Sequence, residues 1–410
     1  MTTMDIAHKS VVVVGGSLGG LMHALVFLSL PSPPKVTILE RSPTNLLHNQ
    51  GAGIVAGTEV LQFFERFVSR GRDIAVTSPL RHYLDRHGKE MPESVAYWQQ
   101  RMTSWDLLYH LLRGRVDGLE TEYAKDLTSD ERPKASYRNG CTVMSVERTQ
   151  LGDIEVSWTE PDSVVQTIRA DLVIAADGAS STIRKLLLPQ VERRYAGYVA
   201  WRGTVSENDL SAEAKEAFIE KFTFYHREGL QILGYLIPAP PNGDLTPGKR
   251  RFNWVWYRNY EKGSPELEEL MTDVHGKRHA ITLPVGGIQG QIWEKQKTYA
   301  NEMLPPQFAE AVNKTQHPFV QAITDCIAPH NSFFDGKVLL VADALAGFRP
   351  HTAASTGQAA FDALYMDRWL RGEIDKEDYD ETVMDFAKRV QQHGVNLGDR
   401  SQFGKHSLNG

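Results

Sequence analysis

The stretch Lys9–Leu21, KSVVVVGGSLGGL, constrains this chain more than any other. Val11, Val12, Val13 and Val14 form a continuous β-branched run, the pattern of a strand buried on both faces of a parallel sheet. Glycines follow, and beyond them Leu21, Met22, Ala24, Leu25, Phe27 and Leu28 recur at helical spacing. A strand, tight turn and helix in that order aim free backbone N–H groups and the positive end of a helix dipole at one spot, which suits a diphosphate. The chain returns as the apolar strand Val36–Leu39 and stops at Glu40, an acid placed to accept hydrogen bonds from a ribose. Against the fingerprint G-x-G-x-x-G, Gly15 is the first glycine, Ser17 takes the second place and Gly20 the third. The letters Gly15-Gly16-Ser17-Leu18-Gly19 also spell G-x-S-x-G, the nucleophile elbow of a serine hydrolase, which likewise joins a strand to a helix. An elbow needs an earlier strand and loop for its oxyanion hole, and the few residues before Val11 are mostly polar or small. A hydrolase built on Ser17 is therefore the weaker of two readings.

Composition narrows the rest. A length of 410 residues is room for two or three domain-sized units. The formal net charge of −6 argues against a nucleic-acid partner, and the short run Lys249, Arg250, Arg251 reads as a solvated turn. No basic leader followed by an apolar segment opens the chain, and no apolar stretch reaches bilayer length, so no membrane partner and a cytoplasmic location are expected. Cys141 and Cys326 are too few for a disulfide framework or a cysteine-rich metal site. His82 and His87 fit no common metal-ligand spacing and read as exposed, and His275 with His279 lack a third ligand, so no metal is expected.

Two further elements repeat the first one's logic. A buried strand, Leu172–Ala175, ends in Asp177-Gly178, with Ser181 and Arg184 opening a helix; another, Val338–Val341, ends in Asp343, ahead of a loop with Pro350 and a helix of small residues. Acids at the carboxyl ends of three parallel strands, Glu40, Asp177 and Asp343, are expected to line one crevice. The segment Asn45–Gly57, with Gly51, Ala52 and Gly53, reads as bare backbone against which a flat ligand can lie. Helices are expected over Thr58–Val68, from Arg101 through Leu112, and over most of Leu304–Ile327, and a hairpin over Cys141–Val146 and Ile154–Trp158. Between Tyr198 and Tyr260 apolar and polar residues alternate around Trp201, Trp254 and Trp256, the texture of an antiparallel sheet.

The glycine loop with Glu40, the D-G-x-x-S-x-x-R pattern at Asp177, Gly178, Ser181 and Arg184, and the strand-Asp-loop-Pro element at Asp343 and Pro350 together resemble the single-component flavin-dependent aromatic hydroxylases of the para-hydroxybenzoate hydroxylase type. Within that family, Val14–Leu21, Glu40–Pro43, Arg101–Asp106, Tyr195–Gly203, Leu270–Val274 and Arg349–His351 are similar to the 2,6-dihydroxypyridine 3-hydroxylase group, where Ser commonly replaces the second glycine. Ala342 departs from the glycine usual before Asp343, and the charged excursion Glu120–Asn139 has no counterpart in the family.

The resemblance implies an α/β fold. A Rossmann-like FAD-binding domain would comprise 1–78, 99–190 and 335–395; an inserted antiparallel β-sheet substrate domain would comprise 79–98 and 191–334, leaving a tail at 396–410. It implies FAD on Gly15, Gly16, Ser17, Leu18, Gly20, Glu40 and Arg41, with further contacts from Gly53, Arg101, Val143, Asp177, Gly178, Asp343, Pro350, His351 and Ala354. NADPH or NADH would be a transient reductant without its own domain. A small aromatic or hydroxypyridine-like substrate would be hydroxylated with O2 through a C4a-hydroperoxyflavin. His351 and His226 are candidate catalytic residues because imidazole titrates near neutrality, and Trp201, Arg202, Tyr225 and Trp256 are candidate substrate walls. A flavin-dependent dehydrogenase or epoxidase on the same fold and a non-catalytic nucleotide sensor are the alternatives, and a homodimer is an open expectation.

Overall fold

The computed structural model describes residues 8–47, 53–127, 133–161 and 164–404. Gly51, Ala52, the middle of the 120–139 excursion and the end of the expected tail lie outside these residues. The valine run is the strand Ser10–Val14, at the centre of a six-stranded sheet. It pairs in parallel with Lys35–Leu39 on one side and Leu172–Ala175 on the other. Val338–Leu340 and Ser136–Arg138 extend the parallel sheet outward, and the short Ser332–Phe333 runs antiparallel at one edge. The helix Leu18–Leu28 is buried along almost all of its length against helices Trp105–Val116 and Ser355–Leu370. A helix apolar on all sides fits such a position. The expected hairpin forms between Thr142–Arg148 and Ile154–Thr159, and Val165–Ala170 adds a third antiparallel strand.

The second sheet runs in the order Thr282–Leu283, Phe319–Ile327, Arg194–Ser206, Arg251–Asn259, Leu230–Ile237, Lys221–Arg227, Val76–Tyr83, Ala96–Ser104 and Gly53–Val55. It is antiparallel except where Lys221–Arg227 meets Val76–Tyr83. The helices Ala212–Phe218, Gly290–Met303 and Pro306–Lys314 supply the apolar layer that packs with one face. That side holds Trp201, Trp254, Trp256 and Tyr225; the other carries Tyr198, Phe222, Phe224, Leu233, Tyr235, Val255 and Tyr257.

The structure differs from the sequence expectation at four places. Phe319–Ile327 is a strand in the sheet and not the end of a helix: it is buried on both faces, and its polar residues Gln321, Thr324 and Asp325 fall at helical spacing, so no alternation betrays it. Arg101 lies within the strand Ala96–Ser104, and the helix starts at Trp105, where the Ser104 hydroxyl caps it by accepting from the Leu107 amide. The helix expected at Thr58–Val68 is α-helical to Phe63 and widens into a π-turn over Phe64–Val68. The last helix, Lys376–Gln402, passes unbroken through position 396, where a tail was expected to begin. An Asp375–Asp378 capping box starts it.

Candidate active site

Three sequence-distant turns meet in one groove of about 820 Å³. Gly15 turns the chain with φ +105°, and a Cβ there would fall 2.3 Å from the carbonyl oxygen of Ala176, so only glycine lets the first strand's turn lie against the third's. At Gly20 a Cβ would stand 1.9 Å from the Gly15 oxygen, which is how helix and strand pack closely enough to hold the turn. Ser17 sits at the N-cap without a side-chain bond to the helix, and no acid occupies the first turn, so the positive helix end faces the groove. Among the described residues no hydrogen bond joins Ser17 to an imidazole.

The acids line this groove as expected. Glu40 accepts from the Gly16 amide at 2.7 Å on one oxygen and from the Ser42 amide at 2.8 Å on the other, which fixes its carboxylate at the strand end. Desolvation raises the pKa of Asp177 against hydrogen bonds from Ser181 and the Ile183 amide. The Ser181 hydroxyl in turn accepts from the Arg184 amide at 2.9 Å. The Arg184 guanidinium donates to the carbonyls of Ala179, Asp343 and Ala344, so the D-G-x-x-S-x-x-R pattern ties the second acidic turn to the third. Asp343 has its pKa raised by burial, and its Oδ1 has no hydrogen-bond partner among the described residues. Buried polar atoms are normally paired, and the residue that carries this one lines the groove.

Ala342, just before it, holds φ +52°, the left-handed region that favours glycine, which accounts for the glycine usual there. Its strained peptide is gripped at both ends: its N–H donates to Asp362 at 2.8 Å, and its carbonyl accepts from Gln358 at 2.8 Å.

Gly15, Ser17, Leu18, Glu40, Arg41, Gly53, Val143, Asp177, Gly178 and Asp343 thus share the groove. Gly16 stands behind it, its Cα packed against the Tyr137 ring, and Gly20 acts through packing. Arg101 is a correction: it is ion-paired with Asp73 and lines neither the groove nor the cavity beside it.

That second cavity, about 510 Å³, adjoins the groove through Gly53, Ile54, Arg202, Ser355 and Thr356. Pro350, His351 and Ala354 line it, so they face the far end of the groove and not its diphosphate turn. Its walls are Phe222, Phe224, Leu233, Val255, Tyr235 and Tyr257, and its cations are Arg81, Arg202 and Arg400, with no carboxylate among the described lining residues. Burial pushes the Tyr257 hydroxyl up to about 12 and raises that of Tyr235, so both are neutral donors.

Of the expected walls only Arg202 faces this cavity. Trp201, Tyr225 and Trp256 are corrections. Successive strand residues point to opposite faces, and these three point into the helical layer, where Trp201 stacks on Trp293 and Trp256 on Tyr299. The residues one step along, Arg202, Phe224 and Tyr257, are the ones that line the cavity. His226 is also corrected. It lines neither space and bonds the carbonyl of Ser401 at 2.9 Å. His351 does line the cavity, 3.0 Å from the Tyr198 hydroxyl, and burial beside Arg349 drives its pKa down to about 3. It is therefore neutral at physiological pH and serves as a hydrogen-bonding group. His279 pairs with Asp273 at 2.7 Å, and no group of His, Cys, Asp or Glu among the described residues is placed to hold a metal. No helix among these residues is long and apolar enough to cross a membrane.

The site is thus a Rossmann-type groove lined by three strand-end acids, adjoining a ring-walled cationic cavity. A family profile described as FAD binding domain-like matches residues 195–325. The 2,6-dihydroxypyridine 3-monooxygenase of Paenarthrobacter nicotinovorans is 31% identical over 354 residues, 86% of this chain and 80% of that protein. The solved 2,6-dihydroxypyridine-3-hydroxylase of Arthrobacter nicotinovorans superposes with a TM-score of 0.83 at 26% identity, covering 98% of this chain and 95% of that one. Klebsiella pneumoniae HpxO, solved with FAD and uric acid, shares the fold at a TM-score of 0.70 and 19% identity, covering 98% and 91%.

The chain belongs to the FAD-dependent aromatic hydroxylases, alongside the 2,6-dihydroxypyridine 3-hydroxylases. It is an FAD-dependent monooxygenase that uses NAD(P)H and O2, so Ser17 is part of a cofactor groove and no hydrolase nucleophile. The orphaned Asp343 Oδ1 and the glycine-bared turn at Gly15 fit FAD, with Glu40 suited to the ribose and the Leu18 helix end to the pyrophosphate.

Proposed function

We propose that the substrate is a planar, anionic, electron-rich ring of the hydroxypyridine class, hydroxylated in the cavity beside the FAD groove. The carrying observation is that three arginines, Arg81, Arg202 and Arg400, line a cavity walled by aromatic and aliphatic side chains, with no carboxylate among its described lining residues. Such cations favour the ionised form of a hydroxylated ring, and ionisation places electron density on the carbon that must attack oxygen. Arg202 is the group best placed to do this, because its buried Nε has no partner and it borders both spaces. Arg81 is pinned by the Tyr83 hydroxyl at 2.8 Å and lies over the Phe224 ring, so its charge is held in place.

Tyr235, Tyr257 and Gln231 offer neutral hydrogen bonds that orient ring oxygens, and Phe222, Leu233 and Val255 exclude water from the reacting carbon. His351, neutral and bonded to Tyr198, accepts or donates without carrying charge. When bound, FAD supplies the redox chemistry, taking a hydride from NAD(P)H and delivering one oxygen atom from O2. The relatives named for dihydroxypyridine support the substrate class.

The test is a panel of hydroxylated pyridines, salicylates and simple phenols, scored for both NAD(P)H consumption and hydroxylated product. Stoichiometric product from a hydroxypyridine is expected. Consumption without product across every hydroxypyridine, or product from neutral phenols alone, overturns the reading.

A further inference from the structure

Four residues of the C-terminal helix, His393, Leu397, Arg400 and Ser401, line the cavity, the last three of them from the stretch expected to be a tail. They fall at helical spacing and form one stripe. Gly398, on the neighbouring stripe with Gly394, is what lets the helix come close. A Cβ at Gly398 would lie 2.5 Å from the Tyr198 hydroxyl and 3.1 Å from the Arg349 side chain, and one at Gly394 would lie 3.6 Å from the Arg349 carbonyl oxygen.

Three fasteners set the helix's register. Arg349, immediately before Pro350, donates to Asp325 at 2.6 Å on the strand Phe319–Ile327 and to Asp399 at 2.6 Å on the helix. His226 bonds the Ser401 carbonyl at 2.9 Å, and Asn259 donates to the Gln402 carbonyl at 2.9 Å, so the substrate sheet caps carbonyls that the last helical turn leaves open.

We propose that the last turns of this helix are the specificity wall of the cavity, with Leu397 as the residue that limits ring size, and that Arg349, His226 and Asn259 are positioning residues for that wall. The proposal rests on the reading of the cavity as the substrate site. The wall touches the ring while the flavin groove is built elsewhere, so changes to it alter ring selection and leave FAD affinity unchanged. The loop at Pro350 and the wall also share one anchor, Arg349. Slackening Asp399 therefore lets water in beside the reacting carbon and raises unproductive NAD(P)H consumption.

The experiment uses full-length holoenzyme in four forms: wild type, Leu397→Ala, Gly398→Ala and Asp399→Ala, with Asp399→Glu as the conservative rescue. Ring binding is read from perturbation of the flavin spectrum, using hydroxypyridines with and without a ring methyl. Access to the flavin is read separately by iodide quenching of its fluorescence. Leu397→Ala is expected to shift the preference toward the methylated ring by about tenfold, the order of a vacated hydrophobic volume. Gly398→Ala is expected to weaken all rings about tenfold and raise quenching severalfold. Asp399→Ala is expected to raise the fraction of NAD(P)H oxidised without product, with Asp399→Glu recovering it.

If wild type binds none of these rings, the substrate reading fails; increased quenching in Gly398→Ala then still supports the helix as the cavity's wall. If Leu397→Ala and Gly398→Ala keep wild-type FAD binding, quenching and ring preference, each within twofold, the wall proposal is overturned.

Discussion

The two halves of this active site are built on opposite principles. The groove that fits FAD is made chiefly of backbone, in glycine turns and a helix end, with acids at strand termini, each encoded within a few consecutive residues. The substrate cavity is made of side chains drawn from strands far apart in sequence, selected by which face of a sheet they occupy. A groove of the first kind tolerates little at a few positions, while a cavity of the second kind spreads its function over many.

The sharpest way to break that contrast is Gly20→Ala. Its Cβ would meet the Gly15 oxygen at 1.9 Å, so the turn must move. At least a hundredfold loss of FAD affinity is expected, about 3 kcal/mol, measured by titrating apoprotein with FAD. Near-normal binding would show that the turn is not the pyrophosphate seat.

A second expectation concerns the grip on Ala342. Asp362 is fully buried and its pKa is raised to about 7 by desolvation, with the Asp343 charge adding to it. Its folded pKa lies above the unfolded value, so its contribution to stability is fully present below about pH 4 and is lost as pH rises to about 7, by a few kcal/mol. Asp362→Asn should remove that slope from stability measured by denaturant between pH 4 and 8. An unchanged slope would place the buried charge elsewhere.

The parity of the sheet gives a paired test. Tyr257→Phe deletes a donor facing the cavity and should raise KM for the ring several-fold, on the order of 1 kcal/mol, with kcat little changed. Tyr225→Phe, on the opposite face, should leave KM unaltered. Equal effects at both positions would refute the assignment of faces. The smallest effect is expected at Ala342→Gly. Relief of the left-handed strain is partly offset by the lost methyl and glycine's entropy, for a net gain of no more than about 1 kcal/mol.

The same contrast explains what the sequence disclosed. The strand-turn-helix at Val11–Leu28 and the acids Glu40, Asp177 and Asp343 were legible because each carries its own local signature and a periodicity that does not depend on partners. The cavity was not. Tryptophans drew attention to Trp201 and Trp256 because of their size, yet alternation puts Arg202 and Tyr257 on the working side, and nothing local says which side a strand turns inward. Had the sheet's buried helical layer been inferred first, from the helices at Ala212, Gly290 and Pro306, the largest apolar residues would have been assigned to it and their neighbours to the site. Phe319–Ile327 resists reading for a related reason, since a strand buried on both faces need not alternate and its polar residues here fall at helical spacing. The C-terminal helix is a longer-range case: its contribution depends on contacts with Arg349, His226 and Asn259 that no spacing within 376–402 announces.

Arg184 carries a final implication. Its guanidinium is shared among carbonyls from two segments separated by more than a hundred and fifty positions, so those segments cannot drift independently over evolutionary time. A chimera that imports residues 177–184 from a homologue while keeping the native 343–344 would inherit an arm cut for a different socket, and such grafts should succeed only when both pieces travel together.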